Sequence, residues 1–303
     1  MSAHTSASSR FLSFDVETTG LIGDGPDLPE LLCAAALILE SDGSVCTSYD
    51  PVTWPKCPLD DASTPDDLPA RVMNKKELLD LVDYMWTLCA HPKDMRVLAW
   101  NGVGYDLRLL YMHCIRVGTA SGMVAADHVR EMALASCDPM LNFAYRKGFP
   151  VKLSAAAKLL SLPMSKNGEG AECADIWLKG DRMGRIDVLR YCANDVAMTA
   201  AVFAEMQRTG SLKWQTRSGK SAEWRPPKDS GELFAPCSET MKWAFANNDF
   251  MRTDIHGIID HTLSVPCPDG FVGWLNTPMD SLDVHTDCDG DTPTASVAKK
   301  IKR

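Results

Sequence analysis

Apolar and polar positions alternate with a clear period over the first half of the chain. Residues 11–17 (Phe-Leu-Ser-Phe-Asp-Val-Glu) read as a strand stopped by Thr18-Thr19-Gly20. Residues 31–39 and 45–49, joined by Ser41-Asp42-Gly43-Ser44, read as a hairpin. An acidic, proline-rich loop follows, and then Leu78, Leu81, Val82, Met85 and Leu88 recur at helical spacing over residues 75–90. Residues 97–100 form a fourth strand that breaks at Asn101-Gly102-Val103-Gly104, after which Leu107, Leu110, Tyr111 and Cys114 mark a helix starting near Tyr105. Residues 132–137 read as another short strand, and 153–160 as an alanine-rich helix. A long helix over 184–206 buries Ile186, Leu189, Ala193, Val196, Ala200 and Phe203. Strands and helices mixed in this order predict an α/β fold.

Composition narrows the class. A 45% hydrophobic, 23% charged chain of 303 residues builds a packed core rather than a coiled coil or a disordered polymer. The longest apolar run, residues 31–39, is about half of what a bilayer crossing needs. The first ten residues lack the apolar centre of a secretory signal and read as a flexible leader. Eleven cysteines, an odd number without a Cys-x-x-Cys pair, argue against a secreted disulfide framework and for an intracellular, cytoplasmic or nuclear, setting. A net charge of −9 means that any contact with a polyanion needs a local basic region.

The candidate chemistry is carried by acids. Asp15 and Glu17 are two apart at a strand end, so both side chains leave the same face. Two carboxylates that close repel, and a divalent cation relieves the repulsion; a pair of solvated loop acids is the plainer alternative. Asp106 opens a helix, where an acid also simply favours the helix dipole. Tyr191 and Asp195, four apart, share one helix face, which a half-buried Tyr beside a surface Asp would equally explain.

Taken in order, Phe14-Asp15-Val16-Glu17-Thr18-Thr19-Gly20-Leu21, then Asn101-x-x-x-Tyr105-Asp106, then Tyr191-x-x-x-Asp195 resemble the DEDD exonuclease superfamily in its Tyr-containing branch. The middle motif, with Asp138, Gly148-Phe-Pro-Val-Lys-Leu153 and Lys166, is most similar to the proofreading domain of family B DNA polymerases. The histidine branch carries His five residues before the last Asp, where this chain has Arg190. The resemblance covers about residues 11–206. It implies a ribonuclease H-like fold, a mixed sheet flanked by helices, and 3′→5′ hydrolysis of nucleic-acid ends, DNA before RNA. It also implies two Mg²⁺ or Mn²⁺ ions, one held by Asp15, Glu17 and Asp195 and the second by Asp15 with Asp106. Tyr191 would orient and help deprotonate the attacking water, and Thr18, Thr19, Leu21 and Asn101 would meet the terminal nucleotide. An RNA 3′-end trimmer and a silent nucleic-acid-binding module of the same fold are the rival readings.

Beyond the motifs, residues 208–228 hold Arg208, Lys213, Arg217, Lys220, Arg225 and Lys228 against Glu223 alone, with Trp214 and Trp224 interleaved. Cations with flat rings suit single-strand binding, and Lys213, Trp214, Arg217 and Lys220 are the candidate contacts; a solvated loop whose tryptophans close a small core fits equally. The composition predicts a leader over 1–10, an exonuclease domain over 11–210, a basic appendage over 211–275 and a disordered acidic-to-basic tail over 276–303. The roughly 90 residues after 210 are too few for an attached polymerase. His256, His261, Cys267, His285 and Cys288 are spaced too loosely for a zinc knuckle and are read as ordinary residues.

Overall fold

The computed structural model describes residues 10–22, 28–46, 51–57, 59, 68–89, 95–160, 170–227 and 231–247. Residues 1–9, Lys166, Lys228 and everything after residue 247, including the five loosely spaced His and Cys residues, lie outside the described residues, while Arg10, expected in the leader, begins the first strand.

A four-stranded sheet in the order β3-β2-β1-β4 forms the centre. β1 (Arg10–Thr18) pairs antiparallel with β2 (Leu31–Leu39), which pairs antiparallel with β3 (Val52–Trp54), while β4 (Met95–Leu98) lies parallel to β1. A parallel bridge from Leu98 to Cys137 continues the sheet beyond β4. This mixed α/β sheet flanked by helices has the ribonuclease H-like arrangement that the motifs imply.

β2 is buried along its whole length, as its unbroken apolar run requires. Strand periodicity divides the core between two faces. Leu12, Phe14, Val16, Ala34, Ala36 and Ile38 pack against α1 (Lys75–Cys89), α2 (Asp106–Arg116) and α3 (Ala120–Ala135). Phe11, Leu32, Cys33, Ala35, Leu37 and Leu39 pack against α6 (Gly170–Lys179) and α7 (Arg182–Thr209). Ser13, on the Phe11 side, donates its hydroxyl to the Val196 carbonyl of α7 at 3.0 Å. Asp15 and Glu17, two and four residues on, therefore face α7.

Three expectations change. The strand expected over 45–49 is reduced to one bridge, Leu39 to Val45, with residues 47–50 outside the described set; the third strand is β3. Residues 132–135 end α3 rather than form a strand, because Val129, Met132 and Ala133 are buried at helical spacing and only Cys137 reaches the sheet. A short apolar run does not by itself separate the two conformations. Besides α3, the pattern predicts no helix at α4 (Pro139–Lys147), capped by Asp138 accepting from Leu141 N, at α6, or over Cys237–Asn247.

Past α5 (Leu153–Ala157), the chain after residue 210 turns back onto the same body. β5 (Leu212–Gln215) and β6 (Ser221–Trp224) form a hairpin whose Leu212 and Trp224 join Phe143, Val151, Met198 and Val202 in a third apolar cluster. α8 (Cys237–Asn247) seats Cys237 and Met241 in the cluster under α1–α3.

Candidate active site

One cleft at the C-terminal end of β1 is lined by Asp15, Glu17, Leu21, Trp100, Asn101, Tyr105, Asp106, Tyr191 and Asp195, together with Val16 and Gly104. Each acid arrives by a different local rule. Strand alternation sends Asp15 and Glu17 toward α7, and the i, i+4 relation stacks Tyr191 and Asp195 on the α7 face that meets them. Asp106 is carried in by the first turn of α2, where its Oδ1 accepts the Val16 N–H at 3.3 Å.

The turn before α2 is built to put Asp106 there. Asn101 adopts φ 69°, a left-handed conformation that Asn tolerates better than most side chains. Gly102 is required, because a Cβ at that position would lie 2.3 Å from the Cβ of Ala99. Buried Asp138 then clamps the turn: its carboxylate accepts from Asn101 N at 3.1 Å, Val103 N at 3.3 Å and Leu141 N at 3.0 Å. The motif resemblance does not convey this clamping role of Asp138; its signal in the sequence is the position before Pro139, that of a helix cap.

The acids share a field. Burial, then the charges of Asp106, Glu17 and Asp195, push the Asp15 carboxyl well above its ordinary range. Burial raises Asp106 to about 7, against backbone hydrogen bonds that pull it down. No Lys or Arg lines the cleft among the described residues. Four carboxylates converging without a cation are the donor set that hard divalent ions neutralise. Tyr191 is pushed up by burial and then by Asp195 and Glu17, so its phenol keeps its proton.

Behind the acids lies a wall of thiols that sequence spacing did not reveal. Cys192 donates to the Asp15 carbonyl at 3.5 Å and to its Oδ2 at 3.7 Å, and also meets Cys33, the cross-strand partner of Glu17. Cys173 of α6 hydrogen-bonds Glu17. Burial raises Cys192 and Cys173, so both stay neutral beside the carboxylates. Asp15, Glu17 and Cys192 bring one ligand atom each within 4.8 Å of one another.

Of the substrate contacts expected from the motifs, Leu21 and Asn101 line the cleft, Leu21 with 67% of its surface exposed. The Asn101 Oδ1 is buried without a hydrogen-bond partner. Thr18 and Thr19 hold the turn beside the cleft: the Thr18 hydroxyl meets Tyr105 Oη at 2.7 Å and the Gly20 carbonyl at 2.7 Å, and Thr19 Oγ1 accepts from Glu30 N at 2.8 Å. Arg190, one residue before Tyr191, turns away to the Leu59 carbonyl at 2.9 Å. In the basic stretch, Lys213 lies 3.7 Å from Glu205, Arg225 pairs with Glu223, and Trp214 packs edge-on against Phe143 with centroids 5.0 Å apart. Arg217 and Lys220 are exposed.

No family model and no curated protein matches the chain. Among solved structures it is similar to an exonuclease I described as suggesting how processivity is achieved, at 17% identity over 67% of this chain and 44% of that one, TM-score 0.34. It is also similar to E. coli exonuclease I in complex with a dT13 oligonucleotide, at 18% identity over 66% and 42%, TM-score 0.33. For a product-bound exonuclease I the values are 13% identity over 97% and 84%, TM-score 0.34. The chain thus spans less than half the length of the first two. Likeness at this level carries no chemistry across, and the site rests on its own residues. No helix among the described residues is long and apolar enough to cross a membrane.

Proposed function

We propose that the chain is a metal-dependent 3′→5′ exonuclease of the Tyr-containing DEDD type that removes nucleotides from DNA ends. The observation that supports this most is the cleft itself, where Asp15, Glu17, Asp106 and Asp195 converge with Tyr191 and no cation among the described lining. The donors fit Mg²⁺ or Mn²⁺: Asp15, Glu17 and Asp195 would hold one ion, and Asp15 with Asp106 a second. Such a pair, when bound, supplies an acidified water and charge neutralisation at the scissile phosphate.

The chain's own residues do the rest. Tyr191, one turn before Asp195 on the same face of α7, would orient the attacking water and help deprotonate it. Leu21 offers an exposed apolar face to the terminal base, and Asn101, which lines the same cleft, would meet the terminal nucleotide there. Tyr105, tied through its hydroxyl to Thr18 and the Gly20 carbonyl, fixes the segment that presents Leu21.

The test is digestion of matched 5′-labelled single-stranded DNA, single-stranded RNA and duplex DNA with Mg²⁺, Mn²⁺ or EDTA, beside Asp15→Asn. A metal-dependent ladder shortening DNA from the 3′ end and absent in the variant is the expected result. A ladder on RNA alone would make the protein an RNA trimmer. Intact substrates with binding retained would make it a silent binding module.

A further inference from the structure

The cleft that would cut a polyanion has no positive side chain of its own among the described residues. Bound ions would neutralise the reacting phosphate, but the phosphates upstream of it need cations elsewhere. A second cavity supplies them. It is lined by Lys152, Ser154 and Lys158 from the α5 segment and by Gln215, Thr216 and Arg217 from the β5–β6 turn, and its lining contains no carboxylate. The three cations come from segments some sixty residues apart, so the fold and not local sequence assembles them. None of the three has a carboxylate partner among the described residues, unlike Arg208, Lys213 and Arg225 of the same region, which Glu205 and Glu223 neutralise.

Trp100 ties the carboxylate cleft to the segment that carries Lys152. Its ring lines the carboxylate cleft, and its Nε1 donates to the Val151 carbonyl at 2.8 Å, one residue before Lys152. Beside this link stand Phe149, 43% exposed, and half-buried Trp214, whose ring centroids are 6.2 Å apart. Trp100 packs against the same apolar cluster as Trp214. Rings that bases can stack on, flanked by unpaired cations, form the combination that tracks an unpaired strand.

We infer that the Lys152–Lys158–Arg217 cavity is a phosphate-binding subsite for the upstream backbone of a single-stranded nucleic acid whose 3′ end lies in the carboxylate cleft. The inference rests on the exonuclease reading for what occupies the cleft, but the subsite has its own readout. It acts on the sugar–phosphate backbone, so it is indifferent to base identity. It is also reached only by a strand long enough to pass Trp100.

The experiment measures binding of labelled oligothymidylates of about 4 and about 16 nucleotides by fluorescence anisotropy across a salt series. Cleavage is suppressed by an Asp15→Asn background, with and without Lys152→Ala/Lys158→Ala. Lys75→Ala/Lys76→Ala on α1 removes the same charge at another place. Each phosphate contact to a single strand contributes about 0.7 to the salt slope, or about fivefold in affinity at 0.1 M salt. The Lys152/Lys158 variant is therefore expected to bind the long oligomer about 25-fold more weakly, with a salt slope about 1.4 smaller. The short oligomer and the α1 variant should be unaffected, and oligoadenylate should show the same loss as oligothymidylate. Unchanged long-oligomer affinity, an equal loss on both lengths, or an equal loss in the α1 variant would overturn the subsite. The two readings fail separately. A wild type that degrades DNA with an unaffected Lys152/Lys158 variant loses only the subsite. A wild type that cuts nothing, while long-oligomer binding still depends on these lysines, loses only the exonuclease.

Discussion

Replacing Asp106 by Asn should make the metal-free protein more stable, and the gain should depend on pH in a fixed direction. Asp106 is buried at 4% exposure, and its carboxyl is raised from 3.8 to about 7. A folded-state value above the unfolded one means that the folded protein binds the extra proton between about pH 4 and 7. Stability from this group is thus present at low pH and lost as pH rises through 7. At about 1.4 kcal/mol per unit, holding the ionised carboxylate in place at pH 8 costs on the order of 4 kcal/mol. Water entering the cleft makes that an upper bound. Asn retains an oxygen that can accept the Val16 N–H and removes the charge. In EDTA at pH 8 the variant should melt several degrees above wild type, at about 2–4 °C per kcal/mol for a chain of this size, and the two should converge near pH 4. Mn²⁺ should narrow the gap, because a wild type saturated at about a hundredfold its Kd gains about 2.7 kcal/mol while the variant has lost a ligand. Differential scanning fluorimetry at the two pH values, with EDTA or Mn²⁺, measures all four conditions. A variant that melts below wild type at pH 8 in EDTA, or a gap of equal size at pH 4, would refute the picture of uncompensated buried acids.

Asp15→Asn removes the carboxylate at the centre of the cluster, so nuclease activity should fall by at least about a hundredfold on a labelled-DNA gel while the melting temperature in EDTA holds or rises. Tyr191→Phe keeps the ring and loses only the hydroxyl that positions water; kcat should drop by less than about a hundredfold, with Mn²⁺ stabilisation intact, and a variant as inactive as Asp15→Asn would assign Tyr191 a larger task. Asp138→Ala strips the acceptor from three backbone N–H groups and should lower stability by several kcal/mol in urea unfolding, each orphaned group costing about 1–3 kcal/mol. Asp138→Asn, able to keep some of those bonds, should lose less.

The parts of the fold that follow one period were legible. β1 and β2 announce themselves by apolar content and by the turns that stop them, and α7 by a stripe that stays buried from Ile186 to Phe203. α3 was not, because an alanine- and methionine-rich segment has a weak face and its last turn resembles a short strand. β3 was displaced from the expected hairpin because the chain leaves β2 after a single bridge at Val45 and re-enters at Val52. Strand and helix geometry pairs Asp15 with Glu17 and Tyr191 with Asp195, but the acids were read as one set only through their resemblance in order to the DEDD motifs. Cys33, Cys173 and Cys192 are brought to Asp15 and Glu17 by the pairing of β1 with β2 and the packing of α6 and α7, which no local spacing encodes. The basic stretch shows the same limit from the other side. Read along the chain it is cationic but for Glu223, yet in three dimensions Glu205 and Glu223 cancel much of it, while Lys152 and Lys158 join Arg217 from an earlier helical segment.

The way the cleft is held explains why its acids can be so exposed to one another without unfolding the protein. No side chain of opposite charge among the described residues lines it. Its supports are neutral: Val16 N on Asp106, the thiols of Cys192 and Cys173 on Asp15 and Glu17, and the Tyr105 hydroxyl on the turn after β1. A lysine in their place would satisfy the carboxylates permanently and leave nothing for a cation to gain, since an ion pair already formed competes with any ion that arrives. Neutral donors orient the acids without neutralising them, so the repulsion persists until protons or, in the proposed reading, divalent ions relieve it. The left-handed Asn101, the side-chain-free Gly102 and the Asp138 clamp fit the same logic. They use local strain and one further buried acid to fix the start of α2, and with it the position of Asp106 beside the other three carboxylates.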